Sequence, residues 1–244
     1  MYLVFFMEMT GDHIKKMALS AGADLCGVAP AERFCGAPEG FRPADVFPDA
    51  RSVVVIAKRF PEGALSSRNF VLYTAAGEIV RGEVGRILCE VSIRLQDRGV
   101  TAVPVPGEPY MHWDADSMEG RGILSLRHAG LLAGLGVMGR NTMLINEKFG
   151  NRISLGALIL NIDLEGDPIA SYRICSDDCN ACIKGCPAGA LDGKTVSQKL
   201  CRQHSQAATP RGYQLYICNT CRTICPYGKG AAGRKKVRKH DFPA

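Results

Sequence analysis

The sequence has no apolar run of the ~18–20 residues needed to span a bilayer, so no transmembrane helix and no membrane partner are expected. It has no excess of charge and no dominance of glycine or proline. Hydrophobic residues are 46% and charged residues 22%, which excludes a disordered or collagen-like chain. Met1–Met7 is apolar but lacks a positive n-region and a small-residue cleavage site. It is expected to be an edge strand, or an extension upstream of a start at Met7 or Met9, and not a signal peptide. The expected location is the cytoplasm. The 244 residues allow one core of roughly 150 residues and a small appended module.

Eight of the eleven cysteines fall between Cys175 and Cys225. In a reducing compartment such crowding implies metal rather than disulfides. The first run is Cys175-x3-Cys179-x2-Cys182-x3-Cys186-Pro187, and the second is Cys218-x2-Cys221-x3-Cys225-Pro226, with Cys201 between them. Closely spaced thiolates wrap one corner of a cubane, and the cysteine before proline turns away to a neighbouring cluster. The proline also prevents a helix from running through that point. This logic predicts two [4Fe-4S] clusters, one on Cys175, Cys179, Cys182 and Cys225, the other on Cys186, Cys201, Cys218 and Cys221. The first gap is one residue longer than in the bacterial ferredoxin run. Zinc ribbons also use C-x2-C pairs, but they have no use for a cysteine that crosses between sites. Cys26, Cys35 and Cys89 read as small buried hydrophobes.

Two clusters at about −2 each would bring the formal charge of +6 to roughly +2. The remaining basic feature is the run Arg234 to His240, read either as a solvated terminus or as a phosphate contact with an acidic partner such as tRNA.

Upstream, helix-like and strand-like segments alternate. Ile14, Met17, Ala18 and Ala21 recur at helical spacing, with Asp12 as N-cap and Gly22 as stop. Leu25–Ala29 and Ser52–Ala57 read as strands, the second central and buried. Residues 30–49 read as a loop. Val80, Val84, Ile87, Leu88, Val91 and Leu95 mark one helix face. Thr101–Val105 is an edge strand with a proline, a helix spans 122–133, and Ile153–Ile162 is a long strand. The order predicts an α/β or α+β domain with a mixed sheet over residues 1–167 and no internal repeat. A ferredoxin-like two-cluster module at 168–233 and a basic tail at 234–244 follow.

Gly134, Gly136 and Gly139 match G-x-G-x-x-G, but a helix precedes them instead of a strand, so a dinucleotide site is rejected. The glycines read as a tight turn, or as backbone that can approach a flat ligand. Tyr110 to Asp116 gathers His112, the only tryptophan Trp113, Asp114 and Asp116 in one segment. It is a candidate proton-donor site against the plainer reading of a polar loop. His128, next to Arg127, is a weaker candidate of the same kind.

The stretch Arg127–Asn141, Leu144–Asn146, Phe149–Gly150, Ala23–Pro30 and Arg51–Ile56, together with the cysteine order, resembles the epoxyqueuosine reductases and, more distantly, the reductive dehalogenases. The similarity runs over nearly the whole chain. It implies a cobalamin-binding domain joined to a two-cluster module, with clusters passing electrons to a corrinoid while an acid donates a proton. Under it, Gly134, Gly136, Gly139, His112 and Trp113 would border the corrinoid, and Asp116 or Asp114 would be the acid. A ferredoxin or flavodoxin would supply electrons. Thirteen residues before Ala133, where the family carries its catalytic aspartate, this sequence has Gly120. The chain stops shortly after the cysteines, whereas the tRNA-modifying enzymes often continue into a helical-repeat region, so a short relative of unassigned substrate is expected. The rival expectation is a non-enzymatic electron carrier, or a reductive activator of a corrinoid partner enzyme.

Overall fold

The computed structural model describes residues 9–107 and 110–231. The Met1–Met7 stretch and the basic run at 234–240 lie outside them. In chain order come α1 (Gly11–Ser20), β1 (Leu25–Pro30), a 3-10 turn (Ala31–Phe34), α2 (Pro43–Val46), β2 (Ser52–Arg59), α3 (Glu62–Ser66) and α4 (Phe70–Gln96). Next are β3 (Ala102–Val105), β4 (Tyr110–Asp114), β5 (Glu119–Gly122), α5 (Leu126–Leu132), β6 (Val137–Met138), β7 (Leu144–Ile145) and β8 (Ile153–Leu160). The cysteine-rich part holds α6 (Ala181–Lys184), α7 (Gln198–Ser205), β9 (Gln206–Ala208), β10 (Gln214–Tyr216) and α8 (Thr220–Thr223).

The main sheet has the order β1-β2-β8-β3, and every pair in it is antiparallel. This corrects the expected mixed sheet. β2 and β3 do run in the same direction across the α4 crossover. However, β8 inserts between them and reverses each pairing, giving a split β-α-β arrangement.

Alternation along the strands divides the core. Val54, Ile56, Leu158 and Leu160 face α1 and α4, packing on Ile14, Val84, Ile87, Leu88 and Val91. Val53, Val55, Ala57, Ala157 and Ile159 face the other way, toward Phe34, Leu124, Ala129, Ala133 and Leu144. Both faces of β2 are therefore covered, as its unbroken apolar run requires. β3 is an edge, so Pro104 costs no interior ladder bond.

Local chemistry moves several expected boundaries. The α1 cap is Thr10, whose hydroxyl accepts from the His13 amide at 3.3 Å, while Asp12 lies inside the first turn. α4 starts at Phe70 because the Asn69 side chain accepts from the Val71 and Leu72 amides at 2.9 and 3.3 Å. The expected loop at 30–49 contains the 3-10 turn and α2, and the first residues of the expected 122–133 helix are strand and turn.

After β8 the chain leaves the sheet through Asp167, whose carboxylate accepts from Lys15 Nζ at 2.7 Å and the Val28 amide at 2.8 Å. The cysteine-rich part then packs back on the first. Asn141 Nδ2 donates to the Cys221 carbonyl at 3.1 Å, Arg222 to the Asn151 carbonyl at 3.0 Å, and Tyr172 Oη to the Ile145 carbonyl at 3.1 Å. Gly150, at φ 64°, admits the Tyr227 carbonyl to within 2.3 Å of where a Cβ would stand.

A paired substitution tests how α4 meets the sheet. A Cβ at Gly156 would sit 2.5 Å from Val84 Cγ1 and 2.8 Å from Leu88 Cδ1, whereas one at Gly85 meets nothing within 4 Å. Urea denaturation of anaerobic protein should show Gly156→Ala destabilising by about 1–3 kcal/mol. Gly85→Ala should be neutral or stabilising by up to ~1 kcal/mol.

Candidate functional site

The short helices of the cysteine-rich part bring its eight thiols into two groups. Cys182 lies on α6, Cys201 on α7 and Cys221 on α8, while Pro187 and Pro226 follow Cys186 and Cys225 where those helices have ended. Burial pushes the Cys225 thiol up to about 12, and the thiols adding repulsion are Cys175, Cys182 and Cys179, all from the first run. Burial also raises Cys182, with Cys175 and Cys179 as its neighbours. Burial pushes Cys221 up to about 11, and the thiols that act on it are Cys218, Cys201 and Cys186. Cys201 is raised by burial, with Cys218 and Cys186 adding to it. Cys225 and Cys182 thus have Cys175 and Cys179 as charge neighbours, and Cys221 and Cys201 have Cys186 and Cys218. Among the described residues no three His, Cys, Asp or Glu side chains converge closely enough to hold a single metal ion. Of the remaining cysteines, Cys26 is mostly enclosed, with its thiol pushed up to about 12 by burial. Cys35 and Cys89 are exposed, contrary to expectation.

The second cysteine group opens on a cavity of about 980 Å³. One wall is the 33–41 segment, with Phe34 and Phe41, and another is α5, with Leu126, Arg127, His128, Leu131 and Leu132. The β4–β5 hairpin contributes Tyr110, Gly120, Arg121 and Gly122. Cys186, Cys201, Cys218 and Cys221 form the far side. Arg33, Arg121, Arg127, Arg202 and Arg222 also line it, and among the described residues no carboxylate does. The cavity is apolar in its walls and positive in its field.

Two details show how the walls are held. Thr142 has φ 60°, an uncommon conformation for a β-branched residue. Arg127 Nη1 donates both to its carbonyl and, at 3.1 Å, to its hydroxyl. Burial holds the Arg127 guanidinium below its ordinary pKa. His128 is lowered by burial and then by Arg127, so its imidazole is neutral at pH 7, with Nδ1 2.6 Å from Ser125 Oγ.

The predicted acid segment is a hairpin docked on α7. Tyr110 and Trp113 stack at 5.9 Å, and the Arg202 guanidinium lies 5.1 and 4.7 Å from their ring centroids. Arg202 Nη2 donates to Tyr110 Oη at 2.9 Å, and Gln198 exchanges hydrogen bonds with the Gly120 backbone. Asp114 accepts from the Ser117 and Asp116 amides at 3.0 and 2.9 Å, bonds that hold its carboxyl below the usual range. Its charge closes the turn. Lys199 Nζ donates to the Asp116 carbonyl at 2.9 Å. His112, Trp113, Asp114 and Asp116 do not line the cavity.

Gly134, Gly136 and Gly139 do not line it either, because protein fills the space their missing side chains leave. A Cβ at Gly134 would lie 2.3 Å from the Pro168 carbonyl oxygen, at Gly136 2.5 Å from that of Ile145, and at Gly139 2.4 Å from Ile145 Cδ1. The glycines that do line the cavity are Gly36, Gly107, Gly120 and Gly122. Tyr110, the first residue of the candidate proton-donor segment, does line the cavity, and sequence reasoning missed Arg202. Arg202 was findable, since it follows the predicted ligand Cys201.

Known proteins supply the remaining comparison. No protein-family model matches the chain. An epoxyqueuosine reductase of Listeria monocytogenes is 36% identical over 120 residues, covering 45% of this chain and 29% of that protein. One of Bacillus cereus is 31% identical over 205 residues, covering 77% and 51%. The chain thus spans about half the length, or less, of these curated relatives. Its fold is shared by an epoxyqueuosine reductase solved with a modified tRNA-Tyr stem loop, at TM-score 0.60, 20% identity and 90% and 65% coverage. It is shared as well by a reductive dehalogenase whose structure suggests a mechanism for B12-dependent dehalogenation, at TM-score 0.68, 17% identity and 91% and 32% coverage. The resemblance read from the sequence holds.

The packed glycines yield a test of their own. Gly136→Ala should lower the stability of metal-free protein by about 1–3 kcal/mol in urea denaturation, through its clash with the Ile145 carbonyl. A glycine whose only task was to face a ligand would leave that midpoint unchanged.

Proposed function

From this kinship with the epoxyqueuosine reductases, we propose that the chain is an iron–sulfur reductase that passes electrons through two [4Fe-4S] clusters to a corrinoid-type cofactor in the cavity. The observation that carries the reading is the placement of one four-cysteine group on the cavity wall and of the other away from it. Cys175, Cys179, Cys182 and Cys225 would hold the outer cluster, which takes electrons from a donor such as a ferredoxin or flavodoxin. Cys186, Cys201, Cys218 and Cys221 would hold the inner one, beside the cavity. Each set is four thiols, the donor set such clusters use. The large cavity, its apolar walls and its bare glycine rim fit a broad flat cofactor. A carrier that only delivered electrons to a partner, or activated one, has no need of this cavity.

A corrinoid supplies the bond-breaking reductive chemistry when bound, and the protein's residues do the rest. Phe34, Phe41, Leu131 and Leu132 exclude water from one side. The five arginines favour an anionic ligand, consistent with a substrate carried on tRNA, as in the relative solved with a tRNA stem loop. The proton donor that the geometry favours is Tyr110, in place of Asp114 or Asp116. Its hydroxyl accepts from Arg202, so the phenolate left after proton transfer would face a guanidinium.

Anaerobic protein should bind about eight irons and eight sulfides. Cys186→Ser and Cys221→Ser should each damage the same cluster, and Cys182→Ser and Cys225→Ser the other. EPR of the reduced protein should show spin coupling between the two. Damage that follows sequence neighbourhood, or zinc in place of iron, would defeat the assignment.

Wild-type protein with intact clusters should also retain cobalamin on gel filtration. Tyr110→Phe should keep cobalamin and iron but lower single-turnover reduction by about 10²–10⁴-fold. Asp116→Asn should change it little. If the loaded wild type retains no corrinoid, the electron-carrier reading takes its place.

A further inference from the structure

A recess of about 230 Å³ adjoins the main cavity and shares Tyr73, Tyr216 and Arg222 with it. One side is a single face of α4, where Tyr73, Gly77 and Arg81 follow at four-residue intervals. The facing side is Ser154, at the start of β8. A Cβ at Gly77 would lie 3.2 Å from Arg81 Nη1, so the missing side chain is what leaves the recess open.

The charges around it are unbalanced. Arg81 and Arg222 line the recess, and neither makes an ion pair among the described residues. The Arg81 guanidinium lies 5.8 Å from the centroid of the Tyr216 ring, and Arg222 spends one nitrogen on the Asn151 carbonyl. Beside them Arg152 has a side chain only 12% exposed, with Nε and Nη1 lacking any hydrogen bond. The nearest carboxylate, Glu62, is 3.7 Å from Arg152 Nη1 and is shared with Lys229. Glu78, on the same helix as Arg81, is taken by Tyr213 Oη at 2.7 Å. Arg81 and Arg222 are half-buried and Arg152 more so, and like charges drawn partly out of water are costly unless a counter-charge joins them.

We propose that the recess is a binding site for a phosphate-sized oxyanion, held by Arg81 and Arg222 with the Ser154 and Tyr73 hydroxyls as further donors. Guanidinium forks suit tetrahedral oxyanions. The oxyanion is either free phosphate or the phosphodiester of a larger ligand reaching in from the main cavity. The site does not depend on the corrinoid reading, since its charge imbalance exists whatever fills the cavity.

The test uses the full chain with its clusters, in chloride buffer under anaerobic conditions, titrated with inorganic phosphate and followed by calorimetry. Saturable binding is expected. It should weaken on the order of tenfold in Arg81→Gln and weaken also in Gly77→Ala, with iron content unchanged in both. The thermal midpoint of Gly77→Ala should not fall, because alanine replaces glycine inside a helix. A second arm compares cobalamin with cobinamide, which lacks the nucleotide phosphodiester. If the larger ligand is the source, Arg81→Gln weakens cobalamin alone and phosphate competes with it. Phosphate binding without such competition assigns the site to the free ion. Phosphate binding with no corrinoid retained would sink the cofactor reading and leave this one standing. If neither phosphate nor cobalamin affinity changes in the two variants, the recess is not an oxyanion site.

Discussion

Backbone lies directly on backbone where the cysteine-rich part meets the sheet domain, at separations that leave no room for a Cβ. Gly134 admits the Pro168 carbonyl, Gly150 the Tyr227 and Gly228 backbone, and Gly230 the carbonyls of Glu147 and Lys148. Asn141 and Asn151, both buried, bind the carbonyls of Cys221 and Arg222 across the same seam. A buried amide is stable only when satisfied. Asn141 meets this at both ends, its Oδ1 accepting from the Met143 amide and its Nδ2 donating to the Cys221 carbonyl, so it ties α8 to the seam, whereas Asn151 Oδ1 has no partner among the described residues. The wall that Cys218 and Cys221 present to the cavity depends on this close approach. Moving the seam outward by the width of a methyl group would separate the inner thiols from α5 and the hairpin.

Electrostatics follows from that placement. Each cubane with four thiolates carries about −2, and the seam brings cations to both groups. Arg140 Nη1 donates to the Asp177 and Cys179 carbonyls at 3.0 and 2.9 Å, beside the outer group. Arg202 and Arg222 adjoin Cys201 and Cys221 in the chain and line the cavity. A positive surround stabilises the reduced, more negative state of a cluster, and local charge and hydrogen bonding are among the terms that set its potential. The cavity arginines would thus have two counter-charges, the proposed inner cluster and a ligand in the cavity. That accounts for cations lining it when none of its described wall residues is acidic.

Much of the fold was legible because it rests on local patterns. The apolar run of β2 requires cover on both faces, and the stripe from Val80 to Leu95 requires a helix. The cysteine order carries its reading in the sequence because metal chemistry imposes spacing directly. What stayed hidden depended on partners distant in sequence. Strand direction could not be read, since β8, which reverses the pairing of β2 and β3, arrives some fifty residues after β3. The first turns of α4 were hidden because Phe70, Val71, Leu72 and Ile79 are exposed and make no buried stripe. The glycine motif was read as a tight turn or as backbone facing a flat ligand; Gly134 does turn, at φ 72°, and the close neighbours are Pro168 and Ile145. Glycine spacing shows that something approaches closely but not what approaches.

The hairpin bears most directly on the chemistry. Gly120, where the resemblance leads one to expect an acid, lines the cavity, and a Cβ there would lie 3.0 Å from the Tyr110 ring. An aspartate at 120 would require the Tyr110 ring to give way by a few tenths of an ångström. The phenol occupies that space because Arg202 holds it from α7, stacked with Trp113 and bonded through Nη2. Arg202 also donates to the Met118 carbonyl, tying the turn of the hairpin to the helix that carries Cys201. The bare backbone at Gly120 and the guanidinium-backed phenol of Tyr110 are therefore coupled positions of one wall. A neutral phenol there adds no negative charge to an arginine-lined cavity with no carboxylate among its described wall residues, so the space stays suited to negatively charged ligands.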